Sequence, residues 1–291
     1  MKAGRASLTA LAVATARGIG TGAFAPAPTA AAILPAPVAA ALRGWQSLPR
    51  WARASLVAPR LLSGGVVDHI TLRTRAIDQA VREAVERDAE QLVILGAGYD
   101  GRAHRMTELR SVRVFEVDHP ATAAVKQARA RTLPACAAEI RYAGIDFDQE
   151  ALGPCLAAAG HDAERPTVWI WEGVTPYLPL SATTASLAAL AERSPPGSTL
   201  VMTYAVPQLT GGDHPRLEAV VRRGFSWLGE PLRGALEPAD AAELVRKYGF
   251  QPESDTGQDA WARDDRLAYA LARPLRSERL LIAARLDRAR V

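Results

Sequence analysis

The stretch QLVILGAGYDGR, residues 91–102, passes without interruption from an apolar run into a glycine-rich turn. Leu92, Val93, Ile94 and Leu95 form the short continuous apolar segment that a strand covered on both faces requires. Gly96 and Gly98 let the backbone turn tightly and let a ligand approach where a Cβ would clash. An open α/β sheet binds a nucleotide-like cofactor at this point, off the carboxyl end of its first strand. Gly96, Gly98 and Gly101 also satisfy G-x-G-x-x-G, so the turn alone leaves a dinucleotide and S-adenosylmethionine equally open.

Downstream of this strand, apolar runs alternate with helical patterns. Strands are predicted at 92–95, 112–117, 140–145, 167–172 and 199–205, and this alternation implies parallel strands with helices on both faces. A helix over 182–193 is expected to start from Ser181 as N-cap and to stop at Pro195, Pro196 and Gly197. Another is expected at 238–248. RLAYALA (266–272) and RLLIAARLD (279–287) both read as β-like and close enough for an antiparallel edge hairpin.

Upstream, Ile70, Ile77, Val81, Ala84 and Val85 share one helical face that should pack on the sheet. Residues 1–69 read as a helical cap broken by Pro26, Pro28, Pro35 and Pro37. LTALAVATA is expected to be a docked alanine-rich helix rather than a leader. The predicted organisation is one domain over 1–291, with the cap at 1–69, a core at 70–291 and an insertion at about 206–236 over the sheet's carboxyl edge.

The 291 residues are 48% hydrophobic and 23% charged with a formal net charge of +4, a composition that belongs to an ordinary soluble globular chain. Arginine and glutamate intersperse along helices, and no basic and aromatic residues interleave as a nucleic-acid stripe needs. No apolar stretch approaches a membrane span. Two cysteines without CxxC spacing and five scattered histidines support neither a zinc site nor a disulfide framework, so no metal is expected and a reducing, cytoplasmic setting is. A homodimer is compatible with the sequence.

Asp118 stands 20 residues after Gly98, where a second parallel strand would hold a carboxylate beside a cofactor ribose. Glu116 points to the same side of that strand and could supplement it. Asp146 and Phe147 close a third strand and offer a carboxylate to an exocyclic amine and a ring to an adenine face. Glu172, at the end of the fourth strand, can bind an α-ammonium but would repel a pyrophosphate. These acids tilt the reading towards S-adenosylmethionine; the alternative is an NAD(P)-dependent oxidoreductase, for which no Tyr-x-x-x-Lys or carboxylate-supported histidine is evident.

RTRAIDQAV, QLVILGAGYDGRAHRM, VFEVDHP, GIDF, WIWEGVTPYLP, PGSTLVMTY, LGEPLRGALEP and SERLLIAARL together resemble the leucine carboxyl methyltransferase-like family, including its polyketide-tailoring O-methyltransferases. The LGAGxD…R turn and EGVxxYL are the most specific pieces, and the likeness covers nearly the whole chain. It implies a Rossmann-like class I methyltransferase sheet, mostly parallel, with the antiparallel edge hairpin and the N-terminal cap. It implies that Gly96, Ala97 and Gly98 line S-adenosyl-L-methionine, that Asp118 holds the ribose and that Asp146 with Phe147 brackets the adenine. Glu172 would take the amino group and Arg73 the cofactor carboxylate. Gly101 stands where the family has threonine, and APAPTA replaces its Asp-Pro. The expected acceptor is a carboxylate or phenolic hydroxyl of a small molecule, or the protein is a non-catalytic homologue that only binds the cofactor. Tyr177, Tyr204 and His214 are the polar side chains expected nearest the acceptor, with Trp227 and Trp261 as aromatic walls.

Overall fold

In the computed structural model, residues 8–20, 28–55, 63, 65–147, 150–207, 223, 233–272 and 278–286 are described. Among them, a seven-stranded sheet has the spatial order β3-β2-β1-β4-β5-β7-β6. Its strands are β1 (Gln91–Leu95), β2 (Arg113–Asp118), β3 (Glu139–Gly144), β4 (Thr167–Trp171), β5 (Thr199–Ala205), β6 (Phe250–Thr256) and β7 (Glu278–Arg285). The first five run parallel, and β7 lies antiparallel to both β5 and β6. The order reverses at β1 and β4, the point at which an open α/β sheet leaves a crevice beyond its carboxyl ends. β1, β4 and β5 are buried at every position, as strands covered on both faces must be.

One face is covered chiefly by α5 (Val66–Glu86), whose Leu72, Ile77, Val81 and Ala84 pack against Leu92, Ile94, Val168 and Ile170. The opposite layer includes α8 (Leu152–Ala158), α9 (Leu180–Glu192) and α10 (Pro238–Lys247), and on this face Trp169, Trp171, Leu187 and Leu190 are fully buried; α7 (Pro120–Ala130) lies on the α5 side, where its Lys126 meets Glu116, which alternates with Val114 onto that face of β2. The N-terminal segment contributes α1 (Leu8–Ile19), α2 (Pro28–Ile33), α3 (Ala36–Ser47) and α4 (Arg50–Ser55). Pro28 and Pro37 fall in first turns, where a missing N–H removes no helical bond. Ala14, Ile33, Leu34 and Leu42 unite α1, α2 and α3 in a small core that also contains Tyr99 of the glycine turn.

Two local expectations are corrected. RLAYALA is helical, as α12 (Arg266–Ala272) after the short α11 (Gln258–Trp261). Ala268 and Ala272, four apart, are buried on one face, and the Asp265 carboxylate accepts from the Ala268 N–H at 2.9 Å as a cap. The edge partner of β7 is therefore β6, residues 250–256, which the alternation did not reveal. The second correction concerns α9, which begins at Leu180 with Pro179 as N-cap and no side-chain cap. Proline fixes the backbone angle that starts the helix, so Ser181 is already inside it.

Candidate functional site

Gly96 has φ +66° and Gly98 φ +48°, conformations that L residues with a side chain adopt only under strain. A Cβ on Gly96 would collide with Val174 of the turn that follows β4, and one on Gly98 would lie 3.0 Å from Ala10 Cβ of α1. Gly101 has φ −113°, which any residue tolerates. Its smallness answers a different demand, since a Cβ there would stand 2.8 Å from Thr29 Oγ1 in α2. The glycine that completes the dinucleotide pattern is thus a packing contact with the cap.

The helix opened by that turn is the four-residue α6 (Arg102–Arg105), and its Arg102 N–H donates to Asp100 Oδ1 at 2.8 Å. A carboxylate stands where a pyrophosphate would need N–H groups. This observation weighs against a dinucleotide.

β1, β2, β3 and β4 deliver their ends to one edge, with Leu95 in register with both Val117 and Trp171, and Asp118 with Gly144. Asp118 Oδ2 accepts from the Gly98 N–H, tying the end of β2 to the glycine turn, and Oδ1 accepts from the His119 N–H at 2.6 Å. Burial raises the Asp118 pKa, and these two N–H groups offset part of that. Glu116 is 1% exposed, with Lys126 of α7 at 2.7 Å, so it faces a lysine inside the fold rather than the ribose position. Asp146 follows β3, with its N–H donating to Glu150 Oε2 at 2.8 Å, and Phe147 is half-buried beside the Trp171 layer.

Glu172 is the centre of the charged network. Arg17 of α1 reaches its Oε1 at 2.5 Å, Arg73 of α5 donates to Oε1 through Nε at 3.0 Å, and Arg102 donates to Oε2 at 2.9 Å. Burial would raise the Glu172 carboxyl, but Arg17, Arg102 and Arg73 outweigh it and hold it well below the usual carboxylate range. Arg73 also meets Glu278 of β7 at 2.6 Å through Nη1, and Glu278 lies 2.7 Å from His69 Nε2. Against the effect of burial, Arg73 and His69 bring the Glu278 carboxyl down to about 2. Arg102, fully buried, is further bound by Asp78 at 2.7 Å and by Asp100. Arg73 and Glu172, assigned separately from the sequence, are thus partners of each other.

Arg17, Asp78 and Glu278 were not singled out from the sequence, and Asp100 and Arg102 entered only as part of the LGAGxD…R motif, with no role assigned. Asp100 and Arg102 stood inside the opening stretch, and charged residues beside a glycine turn were the available signal. Arg17 and Glu278 carried none, because only the tertiary fold brings α1 and β7 to the edge.

Among the acceptor candidates, Tyr204 is 1% exposed and its hydroxyl donates to Asp255 Oδ2 of β6 at 2.6 Å. Burial, reinforced by Asp255, pushes its pKa up, so it is a cross-strand link rather than a base. Tyr177 is half-buried in the 3₁₀ turn Thr175–Tyr177. Trp261 belongs to the core, with its indole N–H on Thr256 Oγ1 at 3.0 Å. His214 and Trp227 lie outside the described residues. Among the described residues no group of acids, histidines and cysteines is arranged to hold a metal, and no helix is long and apolar enough to cross a membrane.

Comparison with known proteins identifies the family and the fold. A family model described as leucine carboxyl methyltransferase matches residues 10–191. A Mycobacteroides abscessus protein named "Putative S-adenosyl-L-methionine-dependent methyltransferase" is 32% identical over 218 residues, 72% of this chain and 70% of that protein. A Streptomyces coelicolor protein with the same description is 41% identical over 135 residues, 46% of this chain and 47% of its own length, so the match spans about half of that relative. The crystal structure of a DUF574 family protein from Streptomyces avermitilis shares the fold with a TM-score of 0.58 at 17% identity, over 97% of this chain and 98% of that one. A structure from Thermobifida fusca, titled as a putative methyltransferase, has a TM-score of 0.56 at 18% identity over 77% and 82%.

Proposed function

Because this chain belongs to the leucine carboxyl methyltransferase family, we propose that it transfers the methyl group of S-adenosylmethionine to an oxygen of a small molecule. The observation that carries the reading is the Glu172–Arg73 pair at the centre of the sheet's carboxyl edge, beside the Gly96–Gly98 turn. The amino-acid end of the cofactor is a zwitterion, and a buried carboxylate beside a guanidinium is its charge complement. The donor set therefore fits the group: Glu172 for the ammonium, Arg73 for the carboxylate, Asp118 for the ribose, Asp146 and Phe147 for the adenine. Gly96, Ala97 and Gly98 form the floor between these groups.

When bound, S-adenosylmethionine supplies a methyl group on a sulfonium that leaves as a neutral thioether. The chain's own task is then alignment, and well-oriented groups supply roughly 7–11 kcal/mol of barrier lowering. Burial of Glu172, Arg73 and Arg102 keeps water from the charged end. A carboxylate acceptor, with a pKa of about 4, arrives already ionised and needs no base, whereas a phenol near 10 needs one. The Tyr204 hydroxyl keeps its proton and donates it in a hydrogen bond to Asp255, so it does not serve as a base here, which favours the carboxylate. We carry forward a secondary-metabolite acid, polyketide-derived acids among them, as the acceptor class.

Calorimetry with S-adenosylhomocysteine tests the reading. Wild-type protein should bind it saturably, and Asp118→Ala should weaken binding at least tenfold while leaving the far-ultraviolet dichroism unchanged. Folded wild-type protein that binds none would end the proposal.

A further inference from the structure

Next to the cofactor groups, the structure contains a slot that none of them uses. It lies between the turn after Glu172 and the carboxyl end of β5, the strand adjacent to β4, and its cavity volume is about 100 Å³. Leu178, Leu180, Met202, Ala205 and Leu236 form aliphatic walls. Residues 233–236 close it as a strap: the Arg233 and Gly234 N–H groups donate to Pro176 O at 2.7 and 3.0 Å, and Leu236 N–H donates to Ala205 O at 2.9 Å. A Cβ on Gly234 would lie 2.7 Å from Thr175 O, so only glycine lets the strap lie this close. The three hydroxyls in the wall are committed as donors, Thr175 to Thr203 O, Thr183 to Pro179 O and Tyr204 to Asp255. Arg233, exposed at the mouth, is the charged residue among the described lining, which contains no Asp, Glu, His, Lys or Cys.

We propose that this slot is the acceptor subsite, taking a short aliphatic segment of a small acid whose carboxylate remains at the mouth between Arg233 and the Glu172 end of the site. The proposal rests on the methyl-transfer reading above and names the substrate that reading leaves open. Size decides the segment. A cavity of about 150 Å³ holds a benzene, so one of this volume holds roughly four carbons. An aromatic ring system does not enter it. The hydroxyls in the wall donate to partners outside the slot and offer no free O–H to its interior, and an aliphatic chain leaves none of them unsatisfied. Arg233 attracts an anion and repels an amine. In the transfer, the C–S bond breaks with its electron pair going to sulfur as the carboxylate oxygen forms the new C–O bond. No proton is released.

The test is calorimetric titration of straight-chain alkanoates, from propanoate to decanoate, into protein saturated with S-adenosylhomocysteine. Affinity should rise with each carbon up to about five or six and then level or fall. Ala205→Leu, which fills the slot, should abolish that rise and weaken hexanoate at least tenfold while S-adenosylhomocysteine affinity stays within twofold. Thr183→Leu serves the same purpose if the first variant does not fold, and Arg233→Gln should weaken every alkanoate by a similar factor. No alkanoate binding, affinity without chain-length dependence, or affinity still rising at decanoate would each overturn the slot. Wild-type protein that fails to bind S-adenosylhomocysteine would instead overturn the cofactor reading.

Discussion

Glu172 shows what a single carboxylate does in this fold. Its two oxygens satisfy three guanidinium groups that come from α1, α5 and α6, so it fastens the cap, the long helix and the glycine turn to the end of β4. Removing one member of a buried ionic cluster leaves uncompensated charge, at a typical cost of about 3–5 kcal/mol. Glu172→Gln keeps the shape and loses the charge, so it should lower the unfolding free energy by that order in urea titration. A loss below about 1 kcal/mol would mean that the arginines find other partners. Arg73 was named from the sequence only through the family resemblance. In the structure it lies with Ile70, Ile77, Val81 and Ala84 on the buried side of α5, where a charge needs a partner. Its second partner, Glu278, is 205 residues away in the chain, and no local pattern encodes that pairing.

At the scale of elements, the parallel core was readable because each central strand is apolar on both faces and each ends in a turn or an acid. β6 was not, since FQPESDT has neither an apolar run nor alternation. It is the outermost strand, half-exposed, with a register shift between Pro252 and Ser254, and an edge strand tolerates proline and charge for the reasons that hide it from pattern reading. Tyr204 spans this edge, because its hydroxyl on β5 reaches Asp255 on β6 while Arg279 of β7 donates to the same carboxylate at 2.9 Å. Tyr204→Phe removes that link and leaves Asp255 with Arg279. The expected loss is about 1–2 kcal/mol in thermal or urea unfolding, with S-adenosylhomocysteine affinity unchanged. A selective fall in turnover at full stability would return Tyr204 to the list of acid–base candidates.

For the molecule as a whole, the charged edge makes acid the condition to which the fold is most sensitive. Asp78, Asp100, Glu172 and Glu278 all have folded pKa values lowered by arginine neighbours, Glu278 to about 2, against the opposing effect of burial. A carboxylate with a depressed folded pKa contributes stability that is fully present above its unfolded value near 4 and is lost as pH falls towards the folded value. Glu116 and Asp118 act in the opposite sense, because burial raises both, and protonating them relieves the fold. The four outnumber the two, and they join α1, α5, β4 and β7, so their protonation loosens the cap and the sheet together. The urea midpoint should therefore stay level from pH 8 to about pH 5 and fall steeply between pH 4 and 2. In Glu278→Gln, which has one fewer depressed group, the midpoint at pH 7 should be lower and the fall on acidification shallower. A midpoint that holds to pH 3 in both proteins would show that the arginine cluster contributes little to stability.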